Sequence, residues 1–187
     1  MLSVIIPTLN AEETIASALA AINGTLAATE IIVADGGSND GTSIAAEKAG
    51  ARVITAQPGR GGQLAAGAAA ANGDWFLFIH ADTVLGADWG KAVAAFMAAA
   101  ETRRRAGVFR FRLDDAAPAA RRLESMVAWR SRILGLPYGD QGLLLSRDFY
   151  FHLGGFHPLP LMEDVEIMRR IGKKRISLLA ADAVTSA

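Results

Sequence analysis

A five-residue apolar run, Trp75–Ile79, stops abruptly at His80-Ala81-Asp82-Thr83 and restricts the fold more than any other stretch. It is short, aromatic and bounded in front by Gly73-Asp74, which fits a strand buried on both faces better than a helix. If extended geometry persists past Ile79, His80 and Asp82 share one face and Ala81 takes the other. An imidazole and a carboxylate then stand together at the carboxyl end of a core strand. Open parallel sheets bind their ligands there.

The rest of the chain supplies the sheet. Leu2–Ile6 reads as a first strand ended by Pro7, and Asn10 with Glu13 as a capping pair for a helix marked by Ile15, Leu19, Ile22 and Leu26. Glu30–Ala34 is a second strand, running into the turn formers Asp35-Gly36-Gly37-Ser38-Asn39-Asp40-Gly41. A short helix to Lys48 closes at Gly50, and Arg52–Thr55 is a third strand. Pro58–Gly62 reads as a flexible loop before an Ala-rich helix from Gln63. After Trp75–Ile79 comes a helix from about Asp88 to Glu101. Alternating strand and helix predicts an α/β domain with a mostly parallel central sheet flanked by helices.

From Arg105 the pattern changes. Val108–Leu113 alternates apolar and basic residues, as a strand with one solvated face does. Pro118–Leu134 reads as a longer helix, Leu136–Asp140 as a turn and Gly142–Leu145 as a strand. Gly154–Pro160 reads as a hinge-bearing loop, Glu163–Ile171 as a helix, Lys173–Arg175 as a basic turn and Ile176–Ala180 as a last strand. The chain is therefore one domain, residues 1–187, with a front half 1–104 and a back half 105–187.

Composition excludes several classes. The chain has 187 residues, 51% of them apolar, which supplies a sizeable core for one domain. Its 19 basic and 19 acidic residues balance, unlike those of a protein built to coat nucleic acid. With no cysteine, disulfides and thiolate metal sites are excluded, which fits a cytoplasmic protein. No signal-type leader or transmembrane segment is visible, and peripheral membrane contact stays open.

Three strand ends carry polar groups: Thr8 and Asn10, then Asp35, then His80 and Asp82. In a parallel sheet these ends share one edge. Asp82 has two readings, the cap of the following turn or a ligand for a hard, oxygen-liking ion such as Mg²⁺ or Mn²⁺. Such an ion needs only one or two protein carboxylates when phosphate oxygens and water complete its shell. His80 could ligate Mn²⁺, orient a water or fill space. Asp35 could accept from a base or ribose, or shape its own turn. Arg60, among glycines, offers a guanidinium and backbone N–H groups to phosphate, or is a plain connector. Asp140 and Gln141 lie between two glycines, as functional groups or in a tight turn. Glu163 and Asp164 open a helix, where acidic residues also simply complement the dipole.

Together these stretches resemble family 2 glycosyltransferases of the GT-A fold. Ser3–Asn10, SVIIPTLN, is similar to the opening strand and its PxxN signature, which brings Pro7 into the candidate set. Ile31–Thr42 is similar to the nucleotide-binding VDDGSxDGT stretch, His80-Ala81-Asp82 to the metal-binding DxD, and Met162-Glu163-Asp164 to the ED motif. HADT, Tyr138–Gly142 and GGF followed by LMEDVE resemble the subgroup associated with radical-SAM and selenium-related domains. Gly36 stands where the second Asp of DDGS is usual, and His80 where the first Asp of DxD is.

The resemblance implies inverting transfer of a sugar from a nucleotide-diphosphate donor to an acceptor hydroxyl. Asp164 would be the catalytic base and Asp82 the holder of Mn²⁺ or Mg²⁺. Pro7, Thr8, Asn10, Asp35, Arg60, His80, Asp82, Asp140, Gln141 and Glu163 would lie around the donor. Members commonly carry more chain after the ED helix, so the resemblance implies a short C-terminal part here. Rival readings are a sugar-phosphate nucleotidyltransferase, which would need a basic triphosphate loop near the first strand, and a non-catalytic nucleotide-binding module. A dinucleotide-dependent dehydrogenase ranks below both, because the GxGxxG fingerprint is missing.

Overall fold

A computed structural model describes residues 1–26, 29–115, 117–118, 120–122, 124–127, 139–159 and 162–185. Its strands are β1 (Leu2–Thr8), β2 (Thr29–Asp35), β3 (Arg52–Thr55), β4 (Trp75–Phe78), β5 (Thr83–Leu85), β6 (Ala106–Leu113), β7 (Leu143–Ser146) and β8 (Ile176–Thr185). They form one sheet in the order β3-β2-β1-β4-β7-β6-β8-β5. The pairs β3-β2, β2-β1, β1-β4 and β6-β8 are parallel, while β4-β7, β7-β6 and β8-β5 are antiparallel. The contiguous parallel block β3-β2-β1-β4 comes from residues before 79, while β5 pairs antiparallel with β8 at the far edge.

Period-two alternation sorts the core. Val4, Ile6, Trp75, Leu77 and Ile79 face one side of the sheet, where Ile15 and Leu19 of α1 (Glu12–Ile22) and Trp89 and Val93 of α4 (Trp89–Ala98) cover them. Ile5, Phe76 and Phe78 face the other side. They meet Leu64 and Ala68 of α3 (Arg60–Ala70), Phe149 and Tyr150 of α5 (Arg147–His152), and Ile167 and Met168 of α6 (Glu163–Ile171). The short helix α2 (Thr42–Lys48) adds Ala46 to the first cluster. Each fully buried Leu, Ile or Phe contributes about 1.5–3 kcal/mol, so strand β4 must be covered on both faces. Phe78 also stacks edge-on with Phe156 at 4.9 Å, tying β4 to the loop after α5.

Several boundaries differ from the sequence reading. Pro7 does not end β1 but lies within it, paired with Ala34. Ile79 N–H donates to the Ile5 carbonyl, so odd residues of β1 face β4. Pro7 lies beyond the last β1–β4 pair, Ile5 with Phe78, where no strand requires its missing N–H. Asn10 does not cap α1. It takes a left-handed conformation, φ 52°, and its side chain accepts from Asn39 N–H.

Pro58–Gly62 is not a loop throughout, because α3 begins at Arg60. The glycine is needed there for close approach: a Cβ on Gly61 would stand 2.2 Å from the His157 carbonyl oxygen. Extended geometry does not persist past Ile79 either. Residues 81–82 form a turn and Thr83 N–H donates to the His80 carbonyl, after which β5 sets off to pair with β8.

In the back half, β6 starts at Ala106, and only its second half has the solvated face that the alternation predicts. The expected helix over 118–134 is helical at residues 118, 120–122 and 124–127, and its remaining expected positions lie outside the described residues. So do Leu136–Tyr138 of the expected turn and Pro160 of the expected loop. Glu124 is buried and accepts from Leu113 N–H, Arg112 and Arg121, fastening this helical stretch to β6. The backbone N–H bond leads, burial opposes it, and the two guanidiniums add to it, holding the Glu124 carboxyl down at about 2. Strand β8 runs five residues past Ala180. Among the described residues no helix is long and apolar enough to cross a membrane.

Candidate active site

The parallel register brings the polar strand ends to one rim. Thr8 is the partner of Asp35 across β1 and β2, and Ile5 is the partner of Phe78 across β1 and β4. The chain after Phe78 therefore leaves the sheet at the level of Pro7 and Thr8.

The front of this rim is bonded to itself. Asp35 Oδ1 accepts from the hydroxyls of Thr8 at 3.0 Å and Ser38 at 2.5 Å, and its Oδ2 accepts from the N–H groups of Gly37 at 3.1 Å and Ser38 at 2.9 Å. Four donors fill the lone pairs of one carboxylate. Burial opposes ionisation of Asp35, but these four bonds outweigh it and keep the carboxyl below its ordinary range. Of its two sequence readings, the turn-shaping one is what the geometry displays. Asn10 N–H donates to the Ser38 hydroxyl and Ala11 N–H to Thr42, which knits the loops after β1 and β2 together.

The back of the rim is built on α6 and the turn before β7. Asp164 Oδ2 accepts from Gly139 N–H at 2.8 Å, and its Oδ1 accepts from Val165 N–H at 2.7 Å. A Cβ at Gly139 would stand 2.4 Å from His80 Nε2 and 3.5 Å from Asp164 Oδ2. Only a glycine lets the imidazole, this turn and the carboxylate crowd together. Burial lowers the His80 pKa first and the charge of Arg60 lowers it further, against the opposing pull of Asp82 and Asp164. The ring is therefore neutral at pH 7 and offers one donor and one acceptor.

Glu163 is 1% exposed, and Arg60 Nη1 stands 3.6 Å from its Oε1, an ion pair too long for a hydrogen bond. Among the described residues that oxygen has no hydrogen-bond partner. His80, Gly139, Glu163, Asp164 and the apolar Leu64 and Phe156 line a cavity of about 20 Å³. This is the volume of a single water-sized group, far below what a nucleotide needs. A nucleotide would lie on the open rim above it.

Asp82 is half-buried, and the one hydrogen bond its side chain accepts is a marginal 3.5 Å contact from the Thr83 hydroxyl. Among the described residues no group of three His, Asp or Glu side chains could cage a metal. One open carboxylate beside a neutral imidazole suits an ion that takes most of its ligands from phosphate and water, and does not suit a protein-enclosed site.

The structure brings Asn10, Asp35, Arg60, His80, Asp82, Glu163 and Asp164 to one rim, with half-buried Asp140 in the Gly139–Gln141 turn beneath it. Three of the expected donor-side residues make contacts within the fold. Gln141 is 2% exposed, and its amide donates to the Phe109 carbonyl, so it fastens the turn to β6. Pro7 is buried in its strand, and the Thr8 hydroxyl is committed to Asp35.

The sequence reading missed Gln63. Its Nε2 donates to the carbonyls of Thr8 at 2.7 Å and Ala34 at 2.9 Å, which ties α3 to the ends of β1 and β2. A lone amide at the head of an Ala-rich helix was the available signal. It named Met162 only as part of the ED motif and missed its conformation, φ 66° immediately before Glu163. Pattern alone does not show that conformation.

The chain is similar to proteins of known name. A glucosyl-3-phosphoglycerate synthase of Mycolicibacterium smegmatis is 39% identical over 93 residues, covering 44% of this chain and 31% of that protein. The Mycobacterium tuberculosis enzyme of the same name is 37% identical over 94 residues, covering 29% of its length. The matched stretch is thus less than a third of these curated relatives.

Among solved structures, the M. tuberculosis synthase in complex with Mn²⁺, uridine diphosphate and glucosyl-3-phosphoglycerate superposes with a TM-score of 0.71. It is 24% identical, with 100% of this chain and 70% of that one covered. S. aureus TarS superposes at 0.78 and 21% identity, over 100% of this chain and 36% of that one. The model of the family described as Glycosyl transferase family 2 matches residues 3–156, most of the chain. The chain belongs to glycosyl transferase family 2 and has its GT-A fold.

Proposed function

We propose that this protein transfers a sugar from a nucleotide-diphosphate donor to an acceptor hydroxyl, with inversion at the anomeric carbon. One observation carries the reading: Asp164, held by Gly139 N–H, meets His80 at the end of β4 beside the Arg60–Glu163 pair. An imidazole, two carboxylates and a guanidinium from three separate stretches of chain come together around the Gly139 turn, which supports the reading.

In this reading Asp164 receives the acceptor's proton. A carboxylate with an ordinary pKa of about 3.9 is a weak base. It suffices when the hydroxyl releases its proton late, as its oxygen becomes acidic on bonding to carbon. The two backbone N–H groups fix the carboxylate plane and leave each oxygen a lone pair for the acceptor. Neutral His80 orients a donor or acceptor oxygen. Arg60 meets the diphosphate, and Glu163 holds Arg60 in place.

The turn from Asp35 to Ser38, set by Thr8 and Asn10, receives the nucleoside. Asp82 would hold Mn²⁺ or Mg²⁺ with the diphosphate oxygens; bound there, the ion would offset the charge that gathers on the departing diphosphate. Complexes of the M. tuberculosis synthase with uridine diphosphate and Mn²⁺ or Mg²⁺ support a uridine nucleotide for the donor. The chain acts as one domain, with residues 1–104 on the donor side and 105–187 on the acceptor side. HADT, the turn at Gly139–Gly142 and the GGF and MEDVE stretches support placement in the radical-SAM and selenodomain-associated subgroup.

The test is a thermal-shift series with uridine and guanosine diphosphates, with and without Mn²⁺, on wild type and Asp82→Ala. A ligand that binds only the folded state raises its melting temperature. Wild type should be stabilised by a nucleoside diphosphate in the presence of Mn²⁺, and Asp82→Ala should lose that stabilisation. Equal shifts with and without metal would remove Asp82 from metal binding, and no shift with either nucleotide would remove the reading as a whole.

A further inference from the structure

We propose that Gln63 is a positioning residue for the donor nucleotide, and that it works only because position 36 has no side chain. The inference rests on the transferase reading above and adds to it a residue that sequence motifs do not mark.

Gln63 is 4% exposed, in the first turn of α3. Its two amide N–H groups are both committed, to Thr8 O at 2.7 Å and Ala34 O at 2.9 Å. These carbonyls end β1 and β2, where the two chains part into the loops that form the nucleotide rim. Both acceptors are carbonyls, so the NH₂ must face them, which fixes the amide orientation. Thr8 O also accepts from Gly36 N–H at 2.8 Å, so Gln63 and the Asp35–Ser38 turn share one anchor.

The same helical turn carries Arg60, whose guanidinium pairs with Glu163, and Gly61, which lies against the 157–159 backbone. Gln63 thereby sets the spacing between the turn that receives the nucleoside and the cation that meets the diphosphate. A side chain at position 36 would occupy the same space. A Cβ built on Gly36 stands 3.0 Å from Gln63 Nε2, 3.1 Å from its Cδ and 3.3 Å from its Oε1. The amide cannot recede without lengthening its two bonds. Gly36 is not in the left-handed region, so its backbone alone does not require glycine.

A double-mutant cycle tests this, with uridine diphosphate and Mn²⁺ as probe and calorimetric affinity as readout. Gln63→Ala and Gly36→Ala should each weaken binding by about tenfold, the equivalent of one good hydrogen bond. The pair together should be no worse than Gln63→Ala alone, because the crowding partner is gone. Gln63→Glu, which points an oxygen at two carbonyls, should bind more weakly than Gln63→Ala. Amide exchange, read without ligand, should quicken at Gly37 and Ser38 in Gln63→Ala.

Additive losses in the pair, or full affinity in Gln63→Ala, would overturn the proposal while leaving the transferase reading intact. If wild type binds no nucleoside diphosphate, the transferase reading fails. Unchanged exchange at Gly37 and Ser38 would then independently defeat the positioning role. If the variants lose stability and affinity for all nucleotides without coupling between positions 36 and 63, Gln63 is only a packing residue, which also overturns the proposal.

Discussion

The two sides of the rim are built on opposite principles. At the front, Asp35 receives four hydrogen bonds from its own chain, and Asn10, Ser38 and Thr42 close the remaining loop contacts. At the back, a Glu163 oxygen is buried without a hydrogen bond, its cation stands 3.6 Å away, and α6 starts from a methionine in the left-handed region. A satisfied polar network rigidifies a site, while a strained or under-satisfied one costs stability and is kept near chemistry. Under the proposed transfer reaction, the contrast fits recognition by shape at the front and the reaction at the back.

The sharpest way to break that contrast is to make the same change on each side. Asp164→Asn should keep the Gly139 contact through its one amide oxygen and lose the Val165 N–H contact, a smaller cost in melting temperature than the same change at Asp35, and should leave nucleotide affinity close to wild type. Transfer should fall by about 10²–10⁴, the range for losing a general base. Unaltered turnover, measured by release of nucleoside diphosphate, would take Asp164 out of the base role.

Asp35→Asn should do the reverse. An amide cannot accept four hydrogen bonds, and unmatched buried donors cost about 1–3 kcal/mol, so stability falls first and activity follows it. The pH dependence has a definite sign. The folded pKa of Asp35 is depressed, so its contribution is present above its ordinary value of 3.8 and disappears as pH falls through the lower, folded value. The stability gap between wild type and Asp35→Asn, measured by urea unfolding, should therefore be constant at neutral pH and close below pH 3.8. A gap that widened in acid would mean that the carboxylate is not what holds the turn.

How much of this was legible in the sequence follows the same division. The front half was readable because its strands are short apolar runs and its turn is dense in Gly, Asp and Ser. Register then forced Thr8, Asp35 and the chain after Phe78 to one edge. Strand β5 was not readable. It has three residues, and its stability comes from pairing with β8, a partner about 100 positions away in sequence.

The Gly-rich stretch at 59–62 was misread because glycine signals both looseness and close approach, and only the contact of Gly61 with the 157–159 backbone separates the two. Gln141 left two readings open for a related reason. A polar residue between glycines can be a ligand group or part of a tight turn, and its bond to the Phe109 carbonyl is visible only in the fold. His80 and Asp164 stood out as candidates in the sequence, but their approach around Gly139 depends on tertiary packing that no local pattern encodes.

The smallest effect concerns the strain itself. Met162 is 57% exposed and carries φ 66° at the N-cap of α6, with no side-chain cap bond. A non-glycine residue in that region costs about 1–2 kcal/mol, while glycine there adds unfolded-state entropy of about 0.5–1 kcal/mol. Met162→Gly should therefore stabilise the protein by up to about 1 kcal/mol, seen as a slightly higher urea midpoint at unchanged slope. The left-handed turn is what swings Glu163 inward to Arg60 and places Asp164 at Gly139, so glycine keeps the site but lets its entry relax. Turnover should fall modestly as stability rises. A variant that gains stability with no loss of turnover would show that the back of the rim is strained for folding reasons alone, and the distinction between the two sides would then rest on Asp164.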